Sequence, residues 1–456
     1  MKSMESLKNL KVGVIGLAKS GLAAANFARS SGASVFVTES KQRAECAVFL
    51  KRLAKGVTAE FGAHSDRILE SDIIVRSPGV PNNLRVLVQA KRSGIPVYSE
   101  IEFASRYISP REIIAITGTN GKTTTTSLVS DIFKTAGRKT VTAGNIGSPL
   151  ADCVKKITPR TSVVLEVSSY QLEDVERFRP TISAILNITP DHIEHHKTMR
   201  GYIDAKARVF ENQKKTDFCV LNYDDKKVRA LKSLCGAKVI FFSAQRRLAS
   251  GVFYSNGSIV VKLPFAGYSI ALKLKIPGRH NIENALAAAA IAAAAGIKRG
   301  AIEKAINGFR GVEHRIEFTA AINGVEYIND SKATNVDSTL VALKAFEKPV
   351  WLILGGRDKG APYRPLGSQI KKKVKAILLI GEAAAKIRKE FSGTAELLDA
   401  GDIDGALSLA SRRAVKGDIV LLSPACASFD QFDNYEHRGR YFKNAVLKMK
   451  KRFEKK

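Results

Sequence analysis

The run Ile113-Ile-Ala-Ile-Thr-Gly-Thr-Asn-Gly-Lys-Thr-Thr124 most restricts what this chain can become. An apolar stretch empties into a loop with two glycines, and Lys122-Thr-Thr then opens a helical pattern. A strand that feeds a helix in this way crosses over right-handedly to a parallel neighbour, so an α/β fold with a parallel sheet is expected. Gly118 and Gly121 let backbone N–H groups converge on phosphate oxygens, and the helix N-terminus adds partial positive charge. Lys122 would reach the β- and γ-phosphates, and Thr123 would offer a hydroxyl to Mg²⁺. Gly118 lies three residues before Gly121 rather than the five of the common GxxxxGK[ST] loop. The rival reading, a threonine-rich cap on a structural helix, gives Lys122 and the two glycines no role.

The strand-then-helix rhythm recurs along all 456 residues. Strands are predicted at Lys11–Ile15, Val35–Thr38, Ile73–Arg76 and Val97–Tyr98, then at Ile113–Thr117, Val163–Val167 and Ile182–Ile188. A third series is predicted at Val325–Ile328, Val350–Leu354, Ala376–Ile380 and Ile419–Leu422. Residues 216–276 read as β-rich, with turns such as Ser255-Asn-Gly, and Asn281–Ala295 reads as an alanine-rich helix. Domain boundaries are expected near 98–111, where Pro110 breaks a charged helical stretch, and near 308–314.

Lysine and arginine number 73 against 43 acids, a formal charge of +30. That excess raises a rival from another class, a nucleic-acid-dependent P-loop ATPase. The basic residues are not interleaved with aromatics in a single-strand-binding pattern, and no helicase motif accompanies them. They spread over Lys214–Lys215, Lys226–Arg229, Lys371–Lys375 and Lys443–Lys456. A basic solvated surface is the expectation, with no nucleic-acid partner. The longest apolar run, Ala285–Gly296, is too short and too poor in large side chains to span a bilayer, so no membrane is expected. Five scattered cysteines without a CxxC read as reduced thiols in a cytoplasmic protein.

Two further stretches carry chemistry. Val163-Val-Leu-Glu-Val-Ser-Ser-Tyr-Gln-Leu172 puts Glu166 at a strand end, where an acid can hold Mg²⁺ directly or through water. Asn187-Ile-Thr-Pro-Asp-His-Ile-Glu-His-His196 gathers three of the seven histidines. No cysteine lies nearby and the spacing fits no zinc pattern. His192 is the best candidate there for a phosphate or metal contact, while His195 and His196 read as solvated. Lys206, in a predicted helix Tyr202–Glu211, reads on its own as a surface lysine.

Thr117-Gly-Thr-Asn-Gly-Lys-Thr-Thr, Gly144-Asn-Ile-Gly147, Glu166-Val-Ser-Ser-Tyr-Gln-Leu, Asn187-Ile-Thr-Pro-Asp-His and Gly278-Arg-His-Asn-Ile-Glu-Asn-Ala-Leu-Ala together resemble the Mur ligases. These are ATP-dependent amide-forming enzymes of peptidoglycan synthesis. The resemblance covers nearly the whole chain. It implies three α/β domains: a Rossmann-like UDP-binding domain over 1–98, a central P-loop ATPase-type domain over 99–311, and a C-terminal Rossmann-like amino-acid-binding domain over 312–456. Three stretches point within the family to D-glutamate addition: His314-Arg-Ile-Glu, Tyr327-Ile-Asn-Asp-Ser-Lys-Ala-Thr-Asn335 and Leu421-Leu-Ser-Pro-Ala-Cys-Ala-Ser-Phe-Asp-Gln-Phe432. Another Mur member or a folylpolyglutamate-type ligase is the rival inside the enzyme class.

The resemblance implies UDP-N-acetylmuramoyl-L-alanine, D-glutamate and ATP as substrates, two Mg²⁺ sites and an acyl-phosphate intermediate. Leu17, Ala18, Lys19, Ser20, Glu39, Ser40, Ser77, Asn145 and His192 would meet the UDP-sugar. Gly118, Thr119, Asn120, Gly121, Lys122, Thr123, Thr124, Asn281, Asn284, Arg315 and Asp330 would meet ATP, with helix capping the alternative for the two asparagines. Thr334, Lys359, Ser428 and Phe429 would hold D-glutamate. The catalytic set would be Lys122, Glu166, His192, Lys206 and Lys332, with Thr123, Glu166, His192 and Lys206 around metal. The resemblance also reverses the reading of Lys206, since the matching lysine carries CO₂ as a carbamate in these ligases. A monomer is expected, with hinged closure near 98–111 and 308–314.

Overall fold

A computed structural model describes residues 6–276 and 278–454. The first five residues, Pro277 and the last two lysines of the basic tail lie outside the described residues. The N-terminal sheet holds β1 (Lys11–Ile15), β2 (Ser34–Glu39), β3 (Thr58–Phe61), β4 (Ile73–Arg76) and β5 (Val97–Ser99). Its order is β3-β2-β1-β4-β5 and every pairing is parallel. Both faces are covered, which is why these strands read as continuous apolar runs. Val12 and Val14 join the core around Leu22 and Ala25, while Ile15 joins Ile68, Val86 and Leu87 in a separate cluster.

The central sheet holds β6 (Glu112–Thr117), β7 (Lys139–Gly144), β8 (Thr161–Glu166), β9 (Ile182–Ile185), β10 (Phe218–Asn222), β11 (Lys238–Ser243), β12 (Gly251–Ser255), β13 (Ser258–Leu263) and β14 (Ala266–Ala271). The order is β14-β13-β12-β11-β10-β9-β6-β8-β7, parallel from β7 to β12 and antiparallel through the last two hairpins. The first hairpin turns through Asn256 and Gly257, both at positive φ, as the Ser-Asn-Gly signal predicts. Because β6 lies between β8 and β9, the chain leaves it at a topological switch point, where α/β sheets place ligands.

The C-terminal sheet holds β15 (Glu317–Ile322), β16 (Val325–Asn329), β17 (Val350–Gly355), β18 (Val374–Ile380), β19 (Glu396–Gly401) and β20 (Ile419–Leu422), in the order β15-β16-β20-β17-β18-β19. Only β15 runs antiparallel to its neighbour in this sheet.

The chain divides into two compact units, Met1–Lys273 with Ile282–Gly308, and Leu274–Asn281 with Phe309–Lys456. The expected break near 308–314 coincides with a change of unit at Phe309. The expected break near 98–111 does not, since the N-terminal and central sheets belong to one unit. Here the helix Glu100–Ser105 is packed rather than exposed, with Glu100, Ile101, Glu102, Phe103 and Ala104 all buried. The Glu102 carboxylate accepts from the Phe178 N–H at 2.7 Å and the Arg106 Nε at 2.7 Å, and the Ser99 N–H donates to the Asp174 carbonyl at 2.9 Å. Among the described residues no helix is long and apolar enough to cross a membrane.

Candidate active site

Leaving β6, the backbone passes Gly118 at φ 153° and Gly121 at φ 83°, and Gly121 caps the helix Lys122–Thr135. A Cβ at Gly121 would lie 2.3 Å from Asn284 Oδ1, so glycine is required there by space as well as by φ. Asn187, two residues past β9, braces the loop from the side. Its Oδ1 accepts from the Asn120 N–H at 2.8 Å, its Nδ2 donates to the Asn120 carbonyl at 3.1 Å, and its own carbonyl accepts from the Thr119 N–H at 2.9 Å. Lys122 Nζ folds back to donate to the Gly118 and Thr119 carbonyls at 2.9 and 2.8 Å. Thr123 and Thr124 are buried on the first turn. The expected ATP loop is thus a formed, braced loop. Asn284 Oδ1 accepts from Thr125 Oγ1 at 3.2 Å, joining the loop helix to the helix His280–Ala294. Asn281 belongs to the other unit.

Glu166 ends β8 opposite Ile116 of β6, so its side chain emerges beside the loop strand. The residue is 3% exposed; Oε1 accepts from Asn145 Nδ2 at 3.0 Å, and Oε2 is buried without a hydrogen-bond partner. An orphaned carboxylate oxygen is costly unless something binds it. Together with the buried Thr123 hydroxyl it is an oxygen set suited to Mg²⁺.

The surface reading of Lys206 is overturned. Lys206, in the last turn of the helix Met199–Ala207, is 1% exposed, donates to the Gly118 carbonyl at 2.9 Å and lies 4.5 Å from the centre of the Tyr202 ring. No described carboxylate lies within ion-pairing distance of it. Burial first, and the Lys122 charge second, push its amine well below the usual lysine range. The surface reading fails because the helix packs its lysine face against the loop rather than outward.

His192 sits in the left-handed region at φ 53°, flanked by the Tyr170 and Tyr202 rings at 5.0 and 6.4 Å. Burial, with Lys122 and Lys206 nearby, lowers its pKa despite Asp191. His195 and His196 are not solvated as expected. Both face Glu173 Oε1, at 2.7 Å from His195 Nε2 and 3.2 Å from His196 Nδ1, and both pack on Tyr170. The two chain directions that would predict this, through Glu173 and Tyr170, lie some twenty residues upstream and leave no local signal.

In the N-terminal domain the loop Gly16–Ser20 closes on β4. A Cβ at Gly21 would lie 1.9 Å from the Gly16 carbonyl, and Ser77 Oγ donates to that carbonyl at 2.8 Å. The Leu17 N–H donates to Glu39 Oε2 at 2.6 Å, while Ser40 Oγ and the Lys41 N–H donate to Oε1 at 3.2 and 3.1 Å. Burial alone would raise the Glu39 carboxyl, but these donors outweigh it and hold it below the usual range. Ala18, Lys19 and Ser40 are exposed, Leu17 and Ser77 buried and Ser20 half-buried, so Glu39 ties the two loops of this set together. Sequence reasoning missed Arg76, the residue before Ser77. It is 1% exposed and bonds Asp174 through Nε, Glu173 through Nη2 at 3.0 Å, and the Tyr170 carbonyl at 3.3 Å.

In the second unit, Asp330 follows β16 and accepts from Ser423 Oγ at 2.7 Å and the Ile316 N–H at 3.1 Å. Its burial pushes the carboxyl up to about 7. Arg315 lies between His314 and Ile316, both at positive φ. Lys332 is half-buried, 6.0 Å from the Tyr435 ring centre, and Thr334 is half-buried two residues on. Lys359 and Phe429 are exposed, while Ser428 is buried. Although the residue is exposed, partial desolvation lowers the Lys359 amine, with Arg438 adding to it. Arg438, on the helix Tyr435–Phe453, was another omission. Fully buried, it donates to Ser331 Oγ, the Ser331 carbonyl, the Cys426 carbonyl and the Ala427 carbonyl at 2.9 to 3.3 Å. It therefore holds the segments bearing Lys332 and Ser428 together. Its pKa falls to about 10 by burial.

Comparison with known proteins follows this geometry. Residues 10–99 match the Mur ligase MurD-like N-terminal domain, 116–292 the Mur ligase middle domain, and 314–426 the Mur ligase glutamate ligase domain. A UDP-N-acetylmuramoylalanine–D-glutamate ligase of Koribacter versatilis is 47% identical over 97% of this chain and 98% of that protein. A ligase of the same name from Clostridioides difficile is 41% identical over 97% and 100%. In fold, the chain is similar to the UDP-N-acetylmuramate–alanine ligase of Thermotoga maritima, at a TM-score of 0.61 and 19% identity over 97% of this chain and 100% of that one. With three family domains in order and near-full-length relatives above 40% identity, the chain belongs to the Mur ligase family.

Proposed function

We propose that this chain is an ATP-dependent ligase that adds D-glutamate to the alanyl carboxylate of UDP-N-acetylmuramoyl-L-alanine in peptidoglycan precursor synthesis. The observation that carries this reading is the near-full-length similarity to D-glutamate ligases at 41 to 47% identity. The braced phosphate loop and the orphaned Glu166 oxygen support it independently.

A carboxylate is a poor electrophile, so it must first be activated. Its oxygen attacks the ATP γ-phosphorus and ADP leaves, giving an acyl phosphate. The neutral amine of D-glutamate then attacks the acyl carbon, the amine proton is lost, and phosphate departs with the C–O bonding pair. Both steps gather negative charge, so positioning and electrostatics dominate the catalysis. Lys122 leaves its two loop carbonyls to meet the transferring phosphoryl oxygens. Gly118, Thr119, Asn120, Gly121 and Thr124 present backbone donors to the phosphates, with Asn281, Asn284, Arg315 and Asp330 as further ATP contacts. Leu17, Ala18, Lys19, Ser20, Glu39, Ser40, Ser77, Asn145 and His192 receive the UDP-sugar. Lys332 meets the transferred phosphate, and Thr334, Lys359, Ser428 and Phe429 receive D-glutamate, the lysines suiting a dicarboxylate.

Mg²⁺ would be held at two sites, by Glu166 Oε2 and Thr123 at one and by His192 and Lys206 as a carbamate at the other, a reading the orphaned Glu166 Oε2 supports. When bound, Mg²⁺ neutralises charge building on the phosphates. Lys206 takes part as a carbamate. Its burial and the adjacent Lys122 favour the neutral amine, which adds to CO₂ with loss of one proton and becomes an anion. The protein acts in the cytoplasm as a monomer.

The test supplies ATP, Mg²⁺, UDP-N-acetylmuramoyl-L-alanine and single amino acids, and measures phosphate release. Release should depend on D-glutamate. Equal rates with L-glutamate or diaminopimelate, or indifference to the nucleotide sugar, would sink the assignment. For the carbamate, Lys206→Ala should regain activity with added formate or bicarbonate, and an already active Lys206→Ala enzyme would remove it.

A further inference from the structure

The cluster of Glu173, His195 and His196 has no task in the reaction above. Its ligand atoms all lie within 4.8 Å of one another. Glu173 Oε1 faces His195 Nε2 at 2.7 Å and His196 Nδ1 at 3.2 Å. Glu173 Oε2 is turned away and held by Arg76 Nη2 at 3.0 Å and by Asn82 Nδ2. The far nitrogen of His196, Nε2, meets Ser169 Oγ at 2.9 Å. We propose that Glu173, His195 and His196 form a binding site for a transition-metal ion of the Zn²⁺ class, separate from the Mg²⁺ donors Thr123, Glu166, His192 and Lys206.

The donor chemistry separates the two sites. Two imidazoles with one carboxylate suit Zn²⁺ or Co²⁺, whereas Mg²⁺ favours sites supplied mainly by oxygen, as Thr123, Glu166 and a carbamate on Lys206 would be. Tetrahedral ligands at Zn–N distances of about 2.0 to 2.1 Å lie roughly 3.3 Å apart: Glu173 Oε1 and His195 Nε2, at 2.7 Å, need to open by about half an ångström, His196 Nδ1 is already 3.2 Å from Oε1, and the two nitrogens, within 4.8 Å of one another, need only adjust to the same spacing. Water would complete the fourth position.

The surrounding shell is already in place. A ligating carboxylate is steadied through its second oxygen, here by Arg76 and Asn82, and a ligating histidine through its second nitrogen, here by Ser169. Binding needs His196 in the tautomer protonated at Nε2, which donates to Ser169 Oγ and leaves Nδ1 to the metal. His195 likewise needs its proton at Nδ1. His195 remains partly open to solvent, with a side-chain exposure of 20%, and provides the entry path.

Occupancy would have a mechanical consequence. The short helix Ile193–His196 lies between His192 and Lys197, both at positive φ. A metal joining it to Glu173 would pin the His192 turn to Arg76 of β4, and so to the N-terminal sheet.

Co²⁺ is the probe, because its visible absorption reports coordination directly. The full chain is titrated with Co²⁺ in excess Mg²⁺, without nucleotide. An intense tetrahedral band saturating at one equivalent is expected, and Zn²⁺ should displace it. It should persist in Glu166→Gln. It should disappear in the double variant His195→Gln/His196→Gln. The single variant His195→Gln, at the more open position, should weaken Co²⁺ binding by roughly tenfold or more while melting like the parent. Absence of the band, its loss to Mg²⁺, or its survival in a folded double variant would overturn the site and leave the cluster as a hydrogen-bonded staple.

Discussion

Lys206 and Arg76 are both 1% exposed and belong to the same compact unit, yet they are buried in opposite ways. Arg76 meets two carboxylates, Glu173 and Asp174, and carbonyls of Val80 and Tyr170. Lys206 meets one carbonyl and the face of a tyrosine ring. A buried charge with its partners is held at little net gain or cost, and breaking it leaves the others stranded. A buried amine without an acid sheds its proton instead. The first arrangement ties the N-terminal sheet to the central sheet, and the second stores reactivity beside the phosphate loop. Arg438 in the other unit belongs with Arg76 in bonding, since four acceptors surround it, although none is a carboxylate.

The contrast breaks first at Lys206. Lys206→Met keeps the volume and removes the amine, so turnover should fall by roughly a hundred- to a thousandfold, the scale of losing a charge-stabilising group. Its melting temperature should hold or rise, because an uncompensated buried amine is gone. Phosphate release and a thermal melt read the two effects, and a marked loss of stability would place Lys206 with Arg76.

Arg76→Met should show the reverse pattern. Removing one partner of a buried pair costs about 3 to 5 kcal/mol, because Asp174 and Glu173 remain. Urea unfolding measures that cost. A melt equal to the parent's would remove Arg76 from the joint between the sheets.

Glu100 sharpens the contrast from the acid side. It is fully buried, accepts from the Ala151 N–H at 2.6 Å through Oε1, and keeps Oε2 without a partner. Burial raises its pKa from the ordinary 4.5 to about 7. The folded chain therefore holds this proton more tightly than the unfolded chain. The resulting stability is full below about pH 4.5, declines as the pH climbs to about 7, and is flat beyond; a rise from 4.5 to about 7 corresponds to about 3 kcal/mol. Glu100→Gln should abolish that slope in urea melts between pH 5 and 8. A parent-minus-variant difference that does not change with pH would show that Glu100 is ionised in its buried setting.

The strands that carried no signal share one position, although an edge place does not by itself hide a strand, since the edge strand Val97–Ser99 was legible. Lys11–Ile15, Ile73–Arg76 and Ile419–Leu422 appear where the apolar runs place them. β3, β7, β15 and β19 carried no such signal, and each lies at the edge of its sheet. An edge strand is half exposed, so Glu396–Gly401 and Thr58–Phe61 contain polar residues where a central strand has valine and isoleucine. The candidate site divides in the same way. Gly118, Gly121, Lys122 and Thr123 are adjacent in the chain, so their chemistry is written in one loop. Arg76 meets Glu173 across 97 residues of sequence and Arg438 meets Ser331 across 107, and nothing near either arginine predicts those partners.

Local physics was enough for the α/β class, the glycine loop that opens the helix after β6 and the acid at the end of β8, because glycine, helix start and strand end are properties of neighbouring residues. Burial is not such a property. Whether Lys206 faces water or the Gly118 carbonyl, and whether His195 and His196 are solvated or joined to Glu173, depends on which distant surface packs against their helices. Desolvation then determines whether the same side chain is a surface charge, a structural partner or a reactive group.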